Sequence, residues 1–363
     1  MSRFLAICFL LACAVSGLSQ TADRKAVILR HNIVVTKADS LSPIILGNGG
    51  FVFTTDVTGL QTFPISYQKG VPLETESDWG WHSFIDAAEY QNGGTSMVSH
   101  SNGGVGYSAQ VESAERNKNA FSLFHQNSQL LQLGNLGFEI TKKDGTLATL
   151  SDVKSVYQEL NLWTGKLRSH FTVEDVPVEV ATYCSGTEDA IGVKVRSSLV
   201  SEGRLKIKLL FPYPANQSND EERNDANEDK HQSKILMSHD NGAVAVHQLD
   251  TTKYYIGFNW EANGFIEQKK PHYFLIAPDT RSDLFQLTAK FTSKKDLGFL
   301  PTFIDIRTSS EDLWKNFWNT NKAIASSERT DRKKNDAERR AVLSQYLIKS
   351  TGTLKKTGMT SLR

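Results

Sequence analysis

The chain has 363 residues, of which 39% are hydrophobic and 22% are charged, so it is neither a fibrous nor a wholly disordered protein. Its 41 Lys and Arg residues balance 40 Asp and Glu residues, and the formal net charge of +1 gives no electrostatic footprint for nucleic acid. The 25 glycines and 10% aromatic residues indicate a turn-rich β protein, with no integral membrane span in the mature chain.

Residues 1–20 have the pattern of a cleaved signal peptide. Arg3 supplies the positive start, and residues 4–15 (FLAICFLLACAV) form an apolar run. That run is shorter than the roughly 20 residues of a membrane-spanning helix. The small residues Gly17 and Ser19 fit cleavage after Ser19, which predicts a secreted or periplasmic protein.

A lipoprotein is the alternative, because residues 10–13 (LLAC) loosely fit a lipobox that ends at Cys13. Simple cleavage is favoured, since a lipobox at this place would shorten the apolar run. Cleavage after residue 20 would remove Arg3, so the formal net charge would fall from +1 to zero in the mature chain. Cys184 would be its one cysteine, so no intrachain disulfide is expected.

From about residue 27 to residue 303, short runs of β-branched and aromatic residues lie between turn signals. Residues 178–182 and 205–209 alternate apolar and other side chains with a period of two, as half-buried strands do. Turns are predicted at residues 143–145 (KDG), 240–242 (DNG) and 262–264 (ANG). The pattern predicts a mainly β fold, a large β-sandwich.

Near Ser309 the pattern changes to that of helices. Ser309 or Ser310 can cap a helix that is predicted to reach residue 325. A polar linker at residues 326–334 precedes a second helix at about 335–349, and a turn is predicted to begin at residue 350. The sandwich is the surface available to cover the apolar stripe of the first helix, Leu313, Trp314, Phe317 and Trp318.

Three segments resemble a known group of enzymes: residues 46–54 (LGNGGFVFT), 58–63 (TGLQTF) and 79–83 (WGWHS). Together they resemble the N-terminal region of secreted six-hairpin glycoside hydrolases, the trehalase-, glucoamylase- and maltose-phosphorylase-like group. The resemblance implies a β-supersandwich of the galactose-mutarotase-like type, then a helical linker, then an (α/α)6 barrel that holds the catalytic carboxylates.

The resemblance implies a domain order along the chain. Residues 1–20 are the signal peptide, 21–308 the β-supersandwich, 309–325 the linker helix and 326–363 the first helix of the barrel. Twelve helices with their connections need roughly 200 residues. Far fewer follow the linker, so the catalytic barrel is expected to be missing or separate, and this chain is expected to be inactive alone.

Substrate contacts are predicted at Trp79, Trp81 and His82, because an aromatic face stacks on a pyranose ring and neighbouring polar groups orient it. Packing at a domain contact is an equally good interpretation of the two tryptophans. Gln61 could add hydrogen bonds, although a strand or turn role is favoured. The ligand would be a carbohydrate.

No catalytic residue, metal ligand or cofactor is predicted. Nine histidines are scattered along the sequence, and their spacing fits no zinc motif. Cys184 reads as a buried strand thiol. The acids near the two tryptophans, which read as solvated loop residues or caps, are Glu74, Glu76, Asp78 and Asp86.

The function expected from the resemblance is that of the non-catalytic N-terminal portion of a secreted glycoside hydrolase acting on α-glucosides or related oligosaccharides. Two alternatives stay open. One is a free-standing carbohydrate-binding or interaction module. The other is a sugar phosphorylase of the same architecture, which export disfavours because free phosphate is scarce outside the cell.

Overall fold

The computed structural model describes residues 24–83, 97–102, 105–110, 128–213, 228–261, 263–278, 281–320 and 332–359. The predicted signal peptide lies outside these residues. Five α-helices lie within them: α1 Arg24–Leu29, α2 Pro64–Tyr67, α3 Ser198–Ser201, α4 Phe303–Thr320 and α5 Arg332–Met359.

Strands dominate the described residues, and every pair of neighbouring strands is antiparallel. The strands are β1 Ile33–Val35, β2 Ile44–Gly47, β3 Phe51–Thr55, β4 Thr75–Ser77, β5 Trp81–Ser83, β6 Met97–Asn102, β7 Val105–Gln110, β8 Ser128–Leu130, β9 Asn135–Ile140, β10 Val153–Asn161, β11 Lys166–Val173, β12 Val176–Cys184, β13 Ala190–Arg196, β14 Leu205–Leu210, β15 His231–His239, β16 Gly242–Leu249, β17 Thr252–Glu261, β18 Gly264–Lys270, β19 Tyr273–Pro278 and β20 Leu284–Thr292.

Two large sheets form the body of the molecule. One has nine strands in the order β1-β10-β11-β12-β13-β20-β17-β16-β15, and the other has four in the order β18-β19-β14-β9. Smaller sheets are β2-β3-β4, β5-β8 and β6-β7. The prediction of a mainly β fold with large antiparallel sheets is confirmed, as is the prediction of two C-terminal helices.

Both sheets contribute to one apolar core. On β14, Leu205, Ile207 and Leu209 are buried while the lysines between them are half-buried, which is the predicted period of two. Phe258 of the nine-stranded sheet and Phe274 of the four-stranded sheet belong to the same buried cluster. A fully buried side chain of this size stabilises the fold by about 1.5–3 kcal/mol.

Helix α4 begins earlier than the sequence predicts. It starts at Phe303, so the predicted start at Ser309 or Ser310 is wrong. The Thr302 hydroxyl accepts the Asp305 amide at 3.3 Å, and the Asp305 carboxylate accepts the Thr302 amide at 2.9 Å. This reciprocal cap satisfies amides that the first turn of the helix leaves free. Ser310 is instead a buried mid-helix residue.

The outer face of the nine-stranded sheet is covered by α4. Phe303 and Ile306 pack in a buried cluster with Tyr183 and Ala190. A Cβ on Gly192 would lie 3.2 Å from Ile306, so the helix rests directly on the backbone of β13. Strand β13 is therefore buried on both faces, which explains its run of apolar residues.

The aromatic stripe of α4 packs inside the chain, as predicted. The Trp318 indole N–H donates to the carbonyl of Leu162 at 2.6 Å. The Trp314 ring stacks on Tyr346 of α5, with ring centres 4.5 Å apart and planes at 21°. A Cβ on Gly165 would lie 2.3 Å from the Trp314 ring, so this turn needs glycine for close approach. Its φ of 69° also favours glycine.

Helix α5 continues to Met359, so the turn predicted to begin at residue 350 is wrong. The hydroxyls of Ser350 and Thr351 donate to the carbonyls of Tyr346 and Leu347, each at 2.8 Å, within the helix. Small polar residues that suggest a turn are thereby accommodated in the helix.

The turn at residues 47–50, part of the segment that carries the resemblance, is the surface on which α5 docks. The Gly49 amide donates to the Ser350 carbonyl at 3.0 Å, and the Tyr346 hydroxyl donates to the Ile45 carbonyl at 2.8 Å. A Cβ on Gly47 would lie only 2.4 Å from the Ser350 carbonyl oxygen. The two backbones are in direct contact here.

Asn48 holds this turn in shape. Its side-chain oxygen accepts the amides of Gly50 and Phe51 at 3.0 and 2.9 Å, and its side-chain nitrogen donates to the carbonyls of Ser185 and Glu188 at 3.0 and 3.1 Å. One amide side chain thus ties the turn to the end of β12. The motif has a structural explanation that is independent of any ligand.

Replacing Gly47 with alanine should loosen α5. The added Cβ meets a backbone oxygen, which cannot rotate away, so we expect the free energy of unfolding to fall by about 2 kcal/mol or more. Urea unfolding followed by tryptophan fluorescence measures this. Gly145→Ala is the control: nothing lies within 4 Å of its Cβ, and its φ of 85° costs only about 1–2 kcal/mol. Equal losses in both variants would contradict the docking surface.

Candidate functional site

Gln61 lies in the core, with 0% of its surface exposed. Its amide nitrogen donates to the Thr54 carbonyl at 3.0 Å, and its amide oxygen accepts the Leu136 amide at 3.1 Å and the Thr75 hydroxyl at 3.2 Å. These contacts link β3, β4 and β9. The geometry gives Gln61 the strand role that was favoured from sequence, and it weighs against the predicted sugar contact.

His82 is also buried, in the middle of the short strand β5. Its Nδ1 lies 2.8 Å from the Thr252 hydroxyl, and its Nε2 lies 3.4 Å from a carboxylate oxygen of Asp250. Burial lowers the pKa of His82, while the Asp250 carboxylate opposes that shift. The ring therefore fastens β5 to the start of β17.

Trp79 is half-buried and its polar edge is occupied. The indole N–H donates to an Asp189 carboxylate oxygen at 2.6 Å, and the Ser77 hydroxyl donates to the same oxygen at 2.5 Å. Burial raises the pKa of Asp189 in spite of these two hydrogen bonds. The ring packs against Tyr254, with centres 6.1 Å apart. These contacts match the packing interpretation of Trp79.

Trp81 differs from Trp79 because it remains partly accessible and its buried indole nitrogen has no hydrogen-bond partner in the described structure. It pairs with Leu130 across β5 and β8. Of the four predicted contact residues, Trp81 is the one whose ring combines exposure with an unused donor. The sugar-contact role of Trp79, Trp81, His82 and Gln61 stays a prediction.

Glu74, just before β4, and Glu76, on β4, share a hydrogen bond between their carboxyl groups. Burial, followed by the charge of Glu74, raises the pKa of Glu76 to about 8; burial also raises that of Glu74. Glycoside hydrolysis needs carboxyl groups about 5–5.5 or 6.5–9.5 Å apart. Two carboxyl groups joined by a direct hydrogen bond are closer together than either of these separations. Asp78 is exposed, and Asp86 lies outside the described residues.

Three histidines that are far apart in the sequence meet at one end of the sandwich: His231, His247 and His272. One nitrogen of each lies within 4.8 Å of those of the other two. The rings of His231 and His272 stack with centres 3.5 Å apart, and the ring of His247 stands at 69° to that of His231. The exposed fractions are only 4%, 2% and 7% in sequence order.

Two nitrogens of this histidine cluster carry an energetic cost. The Nδ1 atoms of His231 and His247 are buried with no hydrogen-bond partner, which costs about 1–3 kcal/mol for each. Burial and the neighbouring His272 lower the pKa of His231 to about 4, and burial holds the pKa of His247 well below its usual value. Both shifts favour the neutral form of the rings, which is the form that binds a metal.

Sequence spacing could have found part of this cluster. The predicted turn at residues 240–242 closes the hairpin of β15 and β16, in which His231 faces Leu249 and is a diagonal neighbour of His247. His272 precedes β19, in the other large sheet. No local pattern tells which residues of two sheets face each other, so the prediction of no metal ligand rested on sequence distance alone.

An open groove of about 510 Å³ lies between α4 and the outer face of strands β11 to β13. Its lining is mostly charged, with Arg168, Lys194, Arg196 and Arg307 among its basic residues and Glu179 among its acids. None of the four predicted contact residues lines it. Cys184 is buried below the sheet surface, and burial raises the pKa of its thiol, which fits the inert thiol predicted from sequence.

No model of a known protein family matches the chain. The adenylosuccinate synthetase of Lactococcus lactis subsp. cremoris (strain MG1363) is 30% identical over 74 residues, which are 20% of this chain and 17% of that enzyme. The chain spans less than a fifth of that curated relative's length. This short match does not show a family.

Similar solved structures are carbohydrate-processing proteins. One described as a kojibiose phosphorylase from the human microbiome has a TM-score of 0.52 at 9% identity, over 88% of this chain and 41% of that chain. A bacterial glucoamylase complexed with acarbose has a TM-score of 0.41 at 11% identity, over 61% and 35%. The first likeness shows a shared fold, and the second is too weak to carry an argument. The chain spans about two fifths of the first structure's length.

No helix in the described residues is long and apolar enough to cross a membrane. The two longest helices, α4 and α5, instead carry charged residues and pack on the sheets.

Replacing Glu76 with glutamine should flatten the dependence of stability on pH. The folded pKa lies above the unfolded value of 4.5, so the folded chain keeps a proton that the unfolded chain releases. The protonated Glu76 carboxyl makes its full contribution to the free energy of unfolding below about pH 4.5, and that contribution is lost as the pH rises to about 8. Between pH 5 and pH 8, we expect the free energy of unfolding of the variant to fall by about 1–3 kcal/mol less than that of the wild type.

Urea unfolding at both pH values measures the difference. Asp56 and Asp189, whose pKa values burial also raises, are present in both proteins, so their contributions cancel. Glu179→Gln, at an exposed position on β12, is the control and should leave the profile unchanged. An unchanged profile for the Glu76 variant would show that its carboxyl is not held protonated.

Proposed function

We propose that this chain is the non-catalytic sandwich portion of a secreted glycoside hydrolase that acts on α-glucosides or related oligosaccharides. The observation that carries the proposal is the docking of both C-terminal helices on the sandwich, α4 on β13 and α5 on the turn at residues 47–50. A sandwich that seats helices at its C-terminal end suits a fold in which a helical domain continues from them. The shared fold with the kojibiose phosphorylase supports this.

On this proposal, the catalytic groups lie outside the described residues of the sandwich. Glu74 and Glu76 share a hydrogen bond, a separation unsuited to flanking a glycosidic bond with room for a nucleophile or water. The sandwich would position the helical part and shape the sugar-binding surface. On this proposal the chain alone does not turn over substrate.

Trp81 is proposed as the principal sugar contact, because its partly accessible aromatic ring offers a face for stacking. Trp79 and His82 would support Trp81 by holding β4, β5 and the start of β17 in place. This proposal gives Gln61 no direct contact with the sugar, since its amide is engaged in the core.

Two other candidates each rest on one observation. A free-standing carbohydrate-binding module is favoured by the accessible Trp81. A sugar phosphorylase is favoured by the kojibiose phosphorylase whose fold is shared. Export through the N-terminal segment argues for hydrolysis, since an exported phosphorylase would lack free phosphate; export itself is part of the proposal.

A panel of α- and β-glucosides and disaccharides, assayed with and without inorganic phosphate, separates these candidates. The proposal predicts no release of glucose and no sugar phosphate from the full chain under either condition. Glucose released in plain buffer by a purified, folded chain would overturn the assignment of catalysis elsewhere. Sugar phosphate formed only with phosphate would establish the phosphorylase.

Calorimetric titration of the same sugars tests the contact. Trp81→Ala should weaken binding by about tenfold or more, since truncating a tryptophan at the centre of a binding contact costs about 2 kcal/mol or more. The control is Phe299→Ala, which removes another aromatic ring that is 69% exposed and is not among the predicted contact residues. Equal affinities for the wild type and the Trp81 variant would contradict the proposed contact.

A further inference from the structure

The histidine cluster joins the two large sheets. His231 is the first residue of β15, and His247 lies on β16 of the same sheet. His272 precedes β19, and its carbonyl accepts the amide of Phe211 at 3.0 Å, at the end of β14. The three imidazoles therefore converge from both layers of the sandwich into one buried space.

His272 has a backbone conformation that few residues adopt. Its φ is 59°, in the left-handed region where side chains other than glycine are strained. That conformation sets its ring against His231. Phe211 stacks on the ring of His247 with centres 4.6 Å apart, and Tyr254 packs beside it at 5.1 Å. Aromatic rings thus border the cluster on the His247 side.

Two of the cluster's ring nitrogens are not used by the protein. The Nδ1 atoms of His231 and His247 lack hydrogen-bond partners in the described structure. His272 has Nδ1 2.6 Å from the Ser233 hydroxyl and Nε2 3.0 Å from the Glu228 carbonyl. A metal bound through one nitrogen of His272 would leave the other its hydrogen bond, which is the usual support of a metal-bound imidazole.

We propose that His231, His247 and His272 bind one divalent transition-metal ion, with zinc as the first choice, and leave a fourth position open. Neutral imidazoles are preferred ligands of zinc, copper and nickel, whereas calcium and magnesium need oxygens. Two nitrogens on one tetrahedral zinc lie about 3.4 Å apart. The nitrogens lie within 4.8 Å of one another here, so the rings must turn toward a bound ion.

A metal at this place would bridge the two sheets and stabilise the sandwich. It would satisfy both orphaned nitrogens, which explains why a core keeps polar rings that otherwise destabilise it. Zinc with three histidines and an open position can also bind an anion or water. The proposal stands apart from any sugar binding, because its residues differ from Trp81.

The test uses the full, untagged chain freed of metal by dialysis against a chelator. Titration with Zn²⁺ should show one ion bound per chain and a higher melting temperature, while Mg²⁺ should have no effect. His247→Gln should weaken Zn²⁺ binding by at least about tenfold. His239→Gln, at an exposed position on the same strand as His231, is the matched control and should bind as the wild type does.

Co²⁺ gives a readout on the wild type that does not depend on the variants folding. Ligand-field bands without a sulfur-to-cobalt band are expected, because the ligands are imidazoles and Cys184 takes no part. Failure of the folded wild type to take up Zn²⁺ or Co²⁺ would overturn the proposal. So would a sulfur-to-cobalt band, or equal affinity in the wild type and a folded His247 variant.

Discussion

The contact between the turn at residues 47–50 and helix α5 is the constraint on which the arrangement of the C-terminal helices depends. The backbones approach so closely that Gly47 has no space for a Cβ beside the Ser350 carbonyl. Once α5 is seated there, Tyr346 presents its ring to Trp314 of α4. Helix α4 in turn covers β13. The glycine-rich turn thus seats α5, and α5 and the sandwich together hold α4.

The sequence predicted the sheets well because strand signals are local: on β14 the period of two follows burial residue by residue. The ends of the helices were harder to predict. The cap at Thr302 and Asp305 competes with equally plausible serines seven and eight residues later, and only the packing of Phe303 decides between them. Ser350 resembles a turn residue until its carbonyl is seen to accept an amide from the sandwich.

The candidate site was only partly predictable, because residue type does not show which polar groups the fold uses internally. The two tryptophans beside Gly80 look equivalent in sequence, yet Trp79 is bound to Asp189 and Trp81 is not. The meeting of His231 with His272 depends on how two sheets face each other. Such non-local contacts follow from the folded core and leave no motif in the sequence.

Hydrogen exchange tests the central claim that α5 and the sandwich form one cooperative unit through the turn at residues 47–50. The account predicts that amides near residues 342–351 of α5 open with free energies within about 1 kcal/mol of those in β3 and β13. Exchange of α5 at free energies several kcal/mol lower, while β3 and β13 stay protected, would show that the helix is only loosely attached and would contradict the account.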